Sequence, residues 1–133
     1  METKEKTARM TEIDFFIGIF AALSSRDRKT LLFNDSFERA MERVFRELTD
    51  YAKKKGVELR FRIRLHPFHG DSQTIYRGIL TAAQMGIIAL DSPGNRIIRI
   101  RLTKERANAI LGHVTGGKLF IEFTDRIIDI FSH

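Results

Sequence analysis

The sequence predicts a single α+β domain, an antiparallel sheet with helices packed on it. Three stretches carry that expectation. Residues 57–65, VELRFRIRL, alternate strictly, with Val57, Leu59, Phe61, Ile63 and Leu65 on one side and Glu58, Arg60, Arg62 and Arg64 on the other. A period of two is the mark of a half-buried strand, here with a cationic outer face. Residues 96–102, RIIRIRL, repeat the pattern, with Ile98, Ile100 and Leu102 alternating with Arg99 and Arg101. Between residues 35 and 55, Phe37, Ala40, Met41, Val44, Phe45, Leu48 and Ala52 recur at helical spacing. If the two strands share a sheet, five arginines lie on one face and the long helix packs on the other.

A chain of 133 residues suits one domain with a core that needs no staple. Eleven phenylalanines and no tryptophan imply a core of rings without polar handles. The absence of cysteine excludes disulfides, thiolate metal sites and cysteine nucleophiles, and it fits a reducing, cytoplasmic setting. The formal net charge is +6, and residues 57–102 hold seven arginines against three acids, with no lysine. Arginine's planar fork suits phosphate and base edges, so the expected partner is anionic.

Residues 1–8 are polar and expected to be disordered. Residues 13–23, IDFFIGIFAAL, invite two readings. Lys4, Lys6 and Arg9 before a short apolar run resemble a signal peptide. Glu12 and Asp14 oppose that, and the run is shorter than the roughly 20 residues a bilayer span requires. Met10, Ile13, Ile17 and Phe20 recur at helical spacing beside Phe16 and Leu23, so a wide-faced amphipathic helix is expected, with no membrane partner. Phe15 and Ile19 fall outside that stripe and make the helix a candidate homodimer surface.

After the polar loop 24–29, Asn34, Asp35 and Ser36 offer caps for the long helix, with Glu38 at capping-box spacing from Asp35. Glu42 and Arg46 form an i,i+4 pair. Lys53 to Lys55 suit the helix C-terminus, and Gly56 is the expected residue beyond it. The strand 57–65 should end near Pro67. Asp71 or Ser72 caps a helix over about 73–85, with Ile75, Ile79, Ala82, Ala83 and Met85 inward and Gln73, Thr74, Arg77, Thr81 and Gln84 outward. Residues 87–90 and 96–102 flank the turn-rich DSPGN and predict a hairpin. Thr103 caps a short helix ending at Gly112. Leu119, Ile121 and Phe123 alternate as a last strand, followed by a short helix over 125–132.

The run from Ser72 to Thr103, through AAQMGII, DSPGNR and IRLT, resembles the recognition helix and wing of winged-helix DNA-binding domains. The resemblance covers about a quarter of the chain. It implies that Gln73, Thr74, Arg77, Thr81 and Gln84 face DNA, with Arg96 near the wing tip. A winged helix also has a short helix between its first strand and its recognition helix. Here only HPFHGD is available for it, too short for a helix, which is a departure from the family's pattern.

The arginine face offers a second route to nucleic acid, since Arg60, Arg62, Arg64, Arg99 and Arg101 could track a phosphate backbone. Stacking recognition needs exposed aromatics among the cations, and Phe120 is the sole aromatic on a polar strand face. Acids of the long helix, Glu38, Glu42 and Glu47, are the alternative cover for that face. His66, His69 and Asp71 carry the ligand types of a zinc site, with His113 and His133 able to join only through the fold. They are the basis for an alternative reading as a small metal-dependent hydrolase, since they are also the plausible acid–base groups. Residues 112–118, GHVTGGK, fit part of a phosphate loop, but Leu119 replaces the magnesium-binding hydroxyl, and the expected order is helix then strand rather than strand then helix. The expectation is therefore a non-enzymatic nucleic-acid-binding protein without a cofactor, acting on DNA as a regulator or accessory subunit. A protein-interaction or assembly module is the other alternative.

Overall fold

The computed structural model describes residues 8–65, 72–91, 94 and 96–132. Along the chain run β1 (Ala8–Met10), α1 (Glu12–Ser25), β2 (Thr30–Leu32), α2 (Asp35–Lys54) and β3 (Val57–Leu59). Then follow α3 (Gln73–Gln84), β4 (Ile88–Asp91), β5 (Ile97–Ile100), α4 (Lys104–His113) and α5 (Gly117–Phe131). The α+β class is as the sequence predicts.

Helix α1 is the centre of the molecule. Thr11 opens it with a reciprocal capping box: its Oγ1 accepts from the N–H of Asp14, and the Asp14 carboxylate accepts from the N–H of Thr11, both at 3.2 Å. Residues 15–24 are all buried. A helix apolar on every side is a core helix, and α3, α4 and α5 pack around this one. Phe15 and Ile19 have no exposed surface. The homodimer surface expected on this helix is thus corrected, because the residues that were to form it are spent inside one chain.

Two glycines let α1 approach its neighbours. A β-carbon on Gly18 would lie 2.3 Å from the Phe120 ring on α5, and one on Gly78 of α3 would lie 2.3 Å from the Phe16 ring.

Helix α2 follows its stripe. Asn34 is the cap, its Oδ1 accepting from the N–H of Phe37 at 3.0 Å, and Phe37, Met41, Val44, Leu48 and Ala52 are buried. Gly56 sits at φ +75°, where a side chain is strained. The helix packs on α5 and β3, not on the antiparallel sheet as expected.

The sheets depart further from expectation. The antiparallel sheet has the order β2-β5-β4, with Leu31 opposite Ile98 and Leu90 opposite the same residue. Strand β3 belongs elsewhere, paired in parallel with β1, Ala8 opposite Val57 and Met10 opposite Leu59. The two arginine-bearing stretches therefore do not share a sheet. The last rung between β1 and the following chain is the N–H of Arg60 donating to the Met10 carbonyl at 3.0 Å. Beyond it β1 ends and the chain enters α1. Residues 61–65 keep the alternation, with Ile63 buried, Phe61 and Leu65 half-buried, and Arg62 and Arg64 exposed, but they have no ladder among the described residues. Ala8 is ordered in β1, and residues 1–7 lie outside the described residues.

The predicted strand 119–123 is the first part of α5. Gly117, Phe120, Thr124, Ile127 and Ile130 are buried at steps of three and four, while Ile121 is exposed. The helical set wins because it offers α1 and α2 a continuous apolar stripe. Met85, expected inward, is half exposed just past the end of α3.

Candidate nucleic-acid interface

An open groove of about 770 Å³ lies among the described residues. Its walls are α3, the β4–β5 hairpin and the first turn of α2. Three contacts hold these walls together. The N–H of Phe33 donates to the Arg96 carbonyl at 2.6 Å, extending the β2–β5 pairing by one residue. The Phe33 ring meets the Phe37 ring edge-on, centroids 5.5 Å apart. The N–H of Ser72 donates to Glu38 Oε1 at 2.9 Å, tying the start of α3 to the start of α2. Ser72 is itself buried and caps α3, its Oγ accepting from the N–H of Ile75 at 3.3 Å.

Across the groove stand Gln73, Tyr76 and Leu80 from α3 and Leu90 and Arg96 from the hairpin. Tyr76 is 55% exposed, and its ring is nearly parallel to Phe33, with centroids 6.4 Å apart and planes inclined by 23°. Arg96 is exposed, folds over Gly94 and has no acidic partner among the described residues. Asp35 and Glu38 line the end near α2, so the groove is cationic at the hairpin and acidic at the helix.

The outward face of α3 divides in two. Gln73 faces the groove, together with Tyr76 and Leu80, which sequence reasoning missed. Arg77 faces the start of α1, where its Nε and Nη2 donate to the two carboxylate oxygens of Glu12 at 3.2 and 3.1 Å. That bidentate bond holds the guanidinium above its usual pKa. Thr81 borders a small cleft with Glu12, Ile13 and Phe16, again on the α1 side. Thr74 is half-buried and Gln84 is exposed. The five residues expected to act together are therefore not one surface.

The strand arginines are likewise split. Arg60, Arg62 and Arg64 are exposed on one side of the extended segment after β3. That segment runs back along α2, with Phe61 against Phe45 at 5.2 Å between centroids. Arg99 points from the outer face of the other sheet and pairs with Asp91 at 2.5 Å, and Arg101 follows it, exposed. The acids of α2 have other uses. Glu42 pairs with Arg46, and Glu47 with Arg43 and Arg126. Phe120, the aromatic expected on a strand face, is fully buried in α5.

No protein-family model, curated protein or solved structure matches this chain.

His66, His69 and Asp71, the candidate metal or acid–base group, lie outside the described residues, as does His133. His113 is exposed at the end of α4. Among the described residues no three histidines, aspartates or glutamates gather as a metal site. The stretch GHVTGGK does lead into a helix, contrary to the expected order, but Leu119 is core and α4 rather than a strand precedes it. No described helix is long and apolar enough to cross a membrane.

Proposed function

We propose that this is a non-enzymatic DNA-binding protein that presents α3 and the β4–β5 hairpin to DNA in the manner of a winged helix. The observation that carries the reading is that helix and hairpin flank one open groove, with Gln73 and Tyr76 on one wall and Arg96, which has no acidic partner among the described residues, on the other. The strand paired with the hairpin is β2, not residues 57–65. A helix, α2, then stands between that strand and α3, which supplies the element missing when 57–65 is taken as the first strand. Two departures accompany it. Helix α2 has 20 residues, and the extended stretch after β3 intervenes, so α2 and α3 meet at their N-terminal ends.

The revised contact set is Gln73, Tyr76 and Arg96 at the groove, with Arg60, Arg62 and Arg64 as phosphate contacts on the segment leading to α3. Arg77 and Thr81 serve the α1–α3 contact. Arg99 and Arg101 lie on the outer sheet face.

Titration of fluorescently labelled DNA, duplex and single-stranded, over a range of salt concentrations tests the proposal. The expected result is binding that weakens steeply with salt, log K falling linearly with log salt. Absence of binding to either form at low salt overturns it. The exposed Leu80 in the groove and the exposed Leu32 on β2 favour the second reading, a protein-interaction module. An acidic protein partner that binds with no accompanying affinity for DNA would establish that reading instead.

A further inference from the structure

We infer that the groove accepts an unstacked nucleobase of the DNA strand, seated on Tyr76 beside Phe33, with the neighbouring phosphate at Arg96. The inference rests on the DNA-binding reading above and specifies what that site recognises.

Tyr76 is the starting point. A tyrosine more than half exposed on the middle of a helix, with Leu80 exposed one turn later, leaves apolar surface in water at the mouth of a concavity. Aromatic faces are the usual platform for single-stranded bases, and every base has a π-face to offer. Bases inside a duplex cannot reach such a ring, so its use requires a base out of the stack. The second ring strengthens the assignment. Phe33 is nearly parallel to Tyr76 and is backed by Phe37, so the platform is supported by the core. The groove volume, about 770 Å³, lies within the roughly 300–1,000 Å³ of small-ligand sites.

Charge sets the orientation. The phosphate belongs at the hairpin, where Arg96 has no described acidic partner. Asp35 at the other end repels phosphate and accepts hydrogen bonds from amino and imino groups of a base edge. Gln73 also lines the groove and can act as donor and acceptor. The arrangement therefore places a base edge towards α2 and the backbone towards the hairpin.

Because the chain has no tryptophan, Tyr76→Trp introduces a single reporter that retains a stacking face. The test uses the full chain, a 12-nucleotide single strand, the duplex of the same sequence and a mononucleotide. Tyr76→Trp is expected to bind the single strand with its emission quenched. Tyr76→Ala is expected to weaken single-strand binding by roughly 5- to 100-fold, the range for loss of one base stack, and duplex binding by clearly less, with the thermal midpoint unchanged. Equal effects of Tyr76→Ala on both DNA forms, or no effect on either while DNA is still bound, overturn the inference and leave the DNA-binding reading standing. Failure of the unaltered protein to bind any DNA removes the underlying reading. Quenching by the mononucleotide at the oligonucleotide's own affinity overturns the strand assignment and makes the groove a free-nucleotide site.

Discussion

The Phe16 ring lies where a side chain on Gly78 would be. An added β-carbon at Gly78 would come within 2.3 Å of that ring, and this close approach lets α3 press against the central helix. Gly78→Ala is expected to destabilise the protein by about 1–3 kcal/mol, the cost of overpacking a filled core. Gly112→Ala is the control. Gly112 is also helical, in α4, but has nothing within 4 Å of the added carbon, so the same change should gain about 0.5–1 kcal/mol from helix propensity. Urea unfolding of the two variants separates them by sign.

Ser24 joins the central helix to the strand edge. Its buried Oγ–H donates to the Leu102 carbonyl at 2.9 Å. Ser24→Ala leaves that carbonyl without its side-chain donor and is expected to cost about 1–3 kcal/mol. Denaturant midpoints at an unchanged m-value would confirm a loss of stability alone.

Glu47 makes stability depend on acid. The hydrogen bond from Arg126 holds its carboxyl below the ordinary value of 4.5, against an opposing effect of burial and with help from Arg43. A depressed carboxylate contributes its stability above the unfolded pKa and loses it as pH falls through the folded one. Glu47→Gln should therefore lower the thermal midpoint at pH 7, by at most about 1 kcal/mol in stability for so accessible a pair. The difference from the unaltered protein should vanish below that range. Circular dichroism melts at pH 7, 5 and 3 make the comparison.

Arg60, Arg62 and Arg64 should govern the salt dependence of DNA binding. Their replacement together by Gln is expected to make the slope of log K against log salt shallower by about 2–3, near one phosphate contact each. Arg77→Gln, which removes a group already held by Glu12, should leave the slope as it was. Equal slopes for all three proteins would remove the extended segment from the interface.

Local chemistry made part of this fold legible. The stripe, the lysines and Gly56 of α2 are signals within one segment, and so are the caps Ser72 and Thr103 and the hairpin at DSPGN. The remainder turned on choices between segments. Residues 119–123 satisfy both a two-residue and a helical period, and only the neighbouring α1 and α2 decide in favour of the helix. Tyr76 and Arg77 adjoin in sequence, yet one faces the groove and the other meets Glu12, because α1 covers one flank of α3 and leaves the other open.

By itself the sequence determined the α+β class, the apolar side of residues 57–65 and the cationic side opposite, since alternation and helical spacing are properties of a single segment. The tertiary structure decided that this stretch pairs with β1 and not with the hairpin, that residues 15–23 are spent as core while Ile13 stays exposed, and that Tyr76 and Arg96 line one groove. Those outcomes depend on which distant surfaces bury one another, and the energy of that burial is not written in any one stretch.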